Sequence, residues 1–166
     1  MTIRILSASV LSLAFALAAQ AGPPAPRLGP VELVQPLPSP YDSSADANAA
    51  VEQALARAQA TGKRVLIDLG GNWCPDCRVF AAVMQLPEVR QFVGRHFEVV
   101  LVDVGRFTNN LDIPARFGVD KVAAVPMVLI LSPQGRLLNA DDLVALSDAR
   151  AMTPQAVLDW LAKWAA

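Results

Sequence analysis

The sequence predicts an α/β fold, one sheet sandwiched between helices. Val65-Leu66-Ile67-Asp68-Leu69 is a short, nearly continuous apolar run rich in β-branched residues, as a strand buried on both faces requires. From Pro75 onward the period changes, with Val79, Phe80, Val83 and Met84 recurring at three- and four-residue spacing. Strand-like and helix-like segments then alternate until a late hairpin over 127–131 and 136–139.

The first 21 residues read as a secretory signal peptide. Arg4 gives a basic start, Ile5 to Ala19 an apolar stretch softened by three serines, and Ala19-Gln20-Ala21 an A-x-A cleavage site that would leave Gly22 as the first mature residue. An uncleaved membrane anchor is the other reading, but the stretch falls short of the roughly 20 apolar residues a span needs. No cysteine follows closely, which argues against a lipoprotein. Gly22 to Pro40 holds seven prolines and little periodicity, so residues 22–42 read as an extended, largely solvated linker or arm. Val31, Leu33, Val34 and Leu37 would let part of it pack as an edge strand. The folded domain is then 43–166, about 120 residues, enough for one core.

Asp46 to Ala60 is an alanine-rich amphipathic helix with Val51, Leu55 and Ala58 inward and Gly62 ending it. After the strand 65–69, Gly70-Gly71 breaks the run and a helix extends from Pro75 to about Gln85. Pro87 restarts a helix through Phe92 to His96, and Phe97 to Val104 is the next strand. Asp112 to Phe117 suits a short helix, and Asp141 to Met152 is irregular or weakly helical. Thr153-Pro154 caps a final helix with Val157, Leu158, Leu161 and Trp164 on one face. Trp160 and Trp164 read as core and rim packing. The formal charge of −1, with both signs interspersed, shows neither a nucleic-acid footprint nor a polybasic membrane patch.

Trp73-Cys74-Pro75-Asp76-Cys77 holds both cysteines of the chain. The loop they close is so short that loop-closure entropy yields only about 2 kcal/mol, so such a pair more often exists to be oxidised and reduced. Pro75 suits the first helical position, which puts Cys74 at the N-cap, facing free N–H groups and the positive end of the macrodipole. A thiolate is stabilised there, and an exposed Cys74 becomes the nucleophile. Cys77, one turn further in, is the shielded, resolving thiol. Half of a metal site is the rival reading. Zinc takes four ligands, however, and the remaining candidate, His96, is a lone histidine at a helix–strand junction that suits a surface or capping role.

The chain resembles the thioredoxin family from about Ala47 to its C-terminus. Gly71-Asn72-Trp73-Cys74-Pro75-Asp76-Cys77 matches the family's Trp-Cys-x-x-Cys site, and Asp68 falls on its buried strand aspartate. Arg116-Phe117-Gly118-Val119 is similar to the segment leading to the family's cis-proline loop, and Val125-Pro126-Met127 to that loop itself. Ser132-Pro133-Gln134-Gly135-Arg136 resembles the tight turn to the next strand. The resemblance implies a thioredoxin fold, a central mixed β-sheet flanked by helices. It also implies a redox-active Cys74–Cys77 disulfide, proton transfer from Cys77 assisted by Asp68, and a substrate site formed by Trp73, Pro75, Asp76, Val125 and Pro126. Two features depart from the family pattern. No lysine stands on the strand Phe97–Val104 to partner Asp68, and the segment between Asp103 and Pro126 is several residues longer than in an ordinary thioredoxin.

Asp76 bears on the direction of electron flow. A carboxylate roughly 6–7 Å from the Cys74 sulfur costs the thiolate about 0.6–2.5 kcal/mol. An exposed helix terminus returns only about 0.3–1 kcal/mol, with Arg78 offsetting some of the rest. A less stabilised thiolate makes a more reducing couple. The expectation is therefore an exported, periplasmic disulfide reductase, a monomer acting on protein disulfides and drawing electrons from a membrane-embedded donor, with no metal or cofactor of its own. A disulfide donor or isomerase, and a non-catalytic module that binds proteins through the same groove, are the alternatives.

Overall fold

The computed structural model describes residues 22–166, and the signal peptide read from residues 1–21 lies outside them. The elements in chain order are α1 (Ala47–Thr61), β1 (Arg64–Gly70), α2 (Pro75–Gln85), α3 (Pro87–His96), β2 (Phe97–Asp103), α4 (Asp112–Arg116), β3 (Met127–Leu131) and α5 (Pro154–Lys163), with a 3₁₀ turn at Ala149–Ala151 before the last. β1 is central: it pairs in parallel with β2 and antiparallel with β3. Six of its seven residues are buried, as its unbroken apolar run requires.

Caps and prolines punctuate the helices. The Asp46 side chain accepts the Ala49 N–H to open α1, and Gly62, at φ 76°, closes it by donating to the Ala58 carbonyl. Thr153 caps α5 by accepting from the Ala156 N–H. Leu86 is extended at φ −57°, ψ 136°, as a residue before proline prefers, and it separates α2 from α3. In α1 the inward seam is Ala47, Val51, Ala54 and Ala58, while Leu55 sits half-buried at its margin. The small alanines let α1 approach the sheet closely.

Alternation along β1 divides the core in two. Val65, Ile67 and Leu69 pack with α1, and Leu66 packs with Phe80 of α2, Phe92 of α3 and Leu158 and Leu161 of α5. The 22–40 segment contains no strand or helix, but it lies against the domain. Ala25, Leu28 and Leu33 pack on the second cluster, and Gln155 of α5 binds the backbone at Pro26 and Leu28.

The hairpin departs from expectation. Of the anticipated strand 136–139, only the single bridge Leu131↔Leu137 forms. The reason is Asn139, 1% exposed, whose side-chain amide takes the place of a neighbouring peptide. It accepts the Ile130 N–H at 2.8 Å and donates to the Val128 carbonyl at 2.8 Å. Replacing Asn139 with leucine strands both backbone groups in the interior. Each such group costs about 1–3 kcal/mol, so the expected loss is about 2–6 kcal/mol, seen as a lower denaturant midpoint at unchanged slope.

Candidate active site

The turn after β1 delivers both cysteines to the start of α2. Cys74 is the N-cap residue, at φ −90° and ψ 115°, and its sulfur accepts the Cys77 N–H at 3.1 Å. The two sulfurs are joined in a disulfide with the Cα atoms 5.3 Å apart. Cys77 is fully buried, as expected of the inner thiol. Cys74, expected to be exposed, is only 3% accessible. The Val125–Pro126 loop lies over it, with the Val125 carbonyl oxygen 3.5 Å from Cys74 Sγ. The Val125–Pro126 peptide bond is cis, and both residues are buried.

Around this pair the expected site residues divide. Trp73 and Pro75 are exposed beside the disulfide. Trp73 is fixed by the longer segment after β2: its indole N–H donates to the Gly105 carbonyl, its ring meets Phe107 edge-on at 5.7 Å, and the Arg106 guanidinium lies 5.0 Å from the ring centre. Phe107, at φ 63°, is held in a conformation uncommon for a bulky residue and stands out to solvent. Asp76, in contrast, is turned inward and is 7% exposed. Its Oδ1 accepts from the Arg150 backbone N–H at 2.9 Å and from Arg150 Nε at 3.1 Å. Arg150 is thus the cation that offsets Asp76. Arg78, expected in that role, instead donates to the Leu37 and Pro38 carbonyls of the arm.

Asp68 lies on β1 beneath α2 and is 1% exposed. Its neighbour across the parallel pairing is Leu101, so no lysine meets it there. Its partner is Tyr41, the chain's single tyrosine, whose hydroxyl donates to Oδ2 at 2.9 Å. Oδ1 has no partner. Burial raises the Asp68 pKa from 3.8 to about 7, and the Tyr41 bond only partly opposes it. A cavity of about 160 Å³ lined by Pro40, Ala81, Met84, Val99 and Leu101 reaches this carboxyl group.

Tyr41, Asn72 and Arg150 were not legible as site residues. Tyr41 ends a proline-rich stretch with no periodicity, and Arg150 sits in a weakly patterned segment. Their partners lie 27 and 74 residues away. Having only one tyrosine, at the junction of arm and domain, was the available signal.

The sequence profile of the thioredoxin-like family matches residues 46–133. The solved disulphide isomerase of Xylella fastidiosa Temecula1 is 35% identical, covers 76% of this chain and 97% of its own, and superposes with a TM-score of 0.72. A DsbH oxidoreductase is 18% identical over 68% of this chain and 80% of its own, with a TM-score of 0.44. The oxidised C-terminal domain of DsbD from Neisseria meningitidis is 23% identical over 63% and 96%, with a TM-score of 0.42. No curated protein sequence matches the chain.

Proposed function

The chain belongs to the thioredoxin-like family, and on that premise we propose that this thiol–disulfide oxidoreductase works as an exported disulfide reductase on protein substrates. The observation that carries the direction is how the sulfurs are held. Cys74 Sγ takes its hydrogen bond from a backbone N–H, and among the described residues no cationic side chain bonds either sulfur. Asp76 stands in the first turn of α2, and the mostly exposed Arg150 side chain offsets its charge only in part. A thiolate supported by little beyond a helix terminus leaves the reduced form weakly stabilised, which makes the couple reducing.

In the cycle, the Cys74 thiolate attacks a substrate disulfide and one substrate sulfur leaves as thiolate. Cys77, deprotonated with the help of Asp68, attacks Cys74 Sγ and releases the second. The pair becomes the disulfide, and two electrons from a membrane-embedded donor reset it. Trp73 and Pro75 flank the incoming chain, while Val125 and Pro126 offer it a backbone edge in the manner of β-strand addition. Export rests on the signal sequence read from residues 1–21. Among the described residues no helix is long and apolar enough to cross a membrane. We read the working form as a monomer.

The reduction potential of the Cys74–Cys77 pair, set against glutathione and dithiothreitol buffers, tests the direction. The expected value is near thioredoxin's roughly −270 mV, and one near the −120 mV of a strong oxidant overturns the reading. The name of the Xylella relative favours a second reading, an isomerase, for which the expected potential is near −180 mV.

A further inference from the structure

We propose that Tyr41, carried in by the proline-rich arm, is a positioning residue of the redox centre whose hydroxyl passes the proton between Cys77 and Asp68. The proposal rests on the disulfide-exchange chemistry of the pair and not on its direction. Tyr41 precedes the span matched to the family, residues 46–133.

Three observations place the hydroxyl. It donates to Asp68 Oδ2 at 2.9 Å. It also flanks Gly70 together with the inner sulfur: a Cβ added at Gly70 would collide with the Tyr41 oxygen and stand 2.9 Å from Cys77 Sγ. The glycine is what leaves room for the tyrosine oxygen and the cysteine sulfur on the same side of β1. Finally, the Asn72 side chain clamps the Tyr41 backbone from both sides, accepting its N–H at 3.0 Å and donating to its carbonyl at 2.7 Å. Asn72 adjoins Trp73 and Cys74, so the clamp ties the arm directly to the active-site turn.

The proton inventory fits. A phenolic hydroxyl has one donor, which Asp68 occupies, and lone pairs left to accept a thiol proton. In the resolving step the Cys77 S–H proton moves to the Tyr41 oxygen as the Tyr41 proton moves to Asp68 Oδ2. The Cys77 sulfur then bonds to Cys74 Sγ, the bond from Cys74 to the substrate sulfur breaks, and its electron pair leaves on that sulfur, which takes a proton from water. Tyr41 ends as it began. Free tyrosinate has no place in the sequence, because burial and the carboxylates of Asp68 on β1 and Asp103 on β2 push its ionisation far upward. The two transfers are therefore concerted. The third carboxylate of the neighbourhood, Asp76 on α2, is engaged by Arg150.

Mixing the reduced protein with 5,5′-dithiobis(2-nitrobenzoate) separates the steps. The first nitrothiobenzoate is released when Cys74 attacks, and the second when Cys77 resolves the mixed disulfide. For Tyr41→Phe, which keeps the ring, the first phase should be unchanged. The second should slow 10-fold or more below pH 7, and its pH dependence should move from about 7 towards the roughly 8.5 of an unassisted thiol. In an Asp68→Asn background the same substitution should add little further slowing, because the proton then has no destination. A second phase in Tyr41→Phe with wild-type rate and pH profile, or full additivity with Asp68→Asn, overturns the proposal. Wild-type protein that releases no nitrothiobenzoate overturns the exchange chemistry itself and the proposal with it.

Discussion

Cys77→Ser is expected to halt turnover at a mixed disulfide joining Cys74 to substrate, while Cys74→Ser forms no adduct. The asymmetry follows from where the sulfurs sit. Cys74 stands at the mouth of α2, its sulfur beside the Val125 carbonyl; Cys77 is sealed in the core one turn inside. Both sulfurs are buried, Cys74 at 3% exposure beside the Val125–Pro126 loop and Cys77 at 0%, so an arriving substrate disulfide would meet the outer sulfur first. The magnitude follows from replacing an intramolecular attack with an external one. Well-oriented neighbouring groups act at effective molarities of about 10⁵ M or more, so a millimolar external thiol should release the adduct roughly 10⁸-fold more slowly. Non-reducing gels and mass spectrometry after mixing with a disulfide-bonded protein check the outcome. Rapid turnover by Cys77→Ser would mean that the pair does not work as attacker and resolver. A protein with both cysteines changed to serine that retained its activity would point to a binding module.

The second large effect concerns Asp68 and has the opposite sign for stability. Its pKa is raised in the folded protein, from 3.8 to about 7, so between those values the folded state holds a proton that the unfolded chain has released. The unfolding free energy contributed by this group is therefore full below about pH 4, falls as pH rises, and is lost by the time pH passes 7. The whole change is about 4 kcal/mol. Asp68→Asn removes the ionisation and keeps an oxygen to accept the Tyr41 hydroxyl. The oxidised variant should be nearly level in stability across this range, and at pH 8 it should exceed the wild type by about 2–4 kcal/mol. Denaturant unfolding of both proteins at pH 4.5 and pH 8 decides it; parallel pH profiles would show that the carboxyl group ionises without penalty. A destabilising carboxylate at the centre of the sheet is understandable only through its chemistry, since a group that is half ionised near neutral pH is suited to take up and return a proton.

How far the sequence leads is clear from the residues it placed well and those it missed. The helix Pro75–Gln85 was legible at both ends, because a proline at its first position and a proline shortly after its last bracket a regular apolar period. β1 was legible because a strand covered on both faces leaves a continuous apolar trace. The hairpin strand was not, because Asn139 makes with its side chain bonds that pattern reading assigns to backbone. At the site, the cysteines sit on a strong local pattern, and Asp68 was singled out by the resemblance to the thioredoxin family. Their partners could not be read. Tyr41 reaches Asp68, and Arg150 reaches Asp76, from segments without period, and only the closed tertiary structure brings them together. The inward turn of Asp76 belongs to the same class: first-turn preference predicts its position and says nothing of its orientation.

The side-chain amide of Asn139 also sets the molecule's behaviour towards its own kind. A sheet border with open N–H and C=O groups is a template on which any extended chain can grow. On the outer side of β3, the Leu143 carbonyl takes the Val128 N–H, the Leu138 N–H reaches the Ile130 carbonyl, and Asn139 occupies the two groups between. An amide side chain ends the ladder that a strand would extend. This border of the sheet, on the β3 side, is thereby closed to fibre-like stacking.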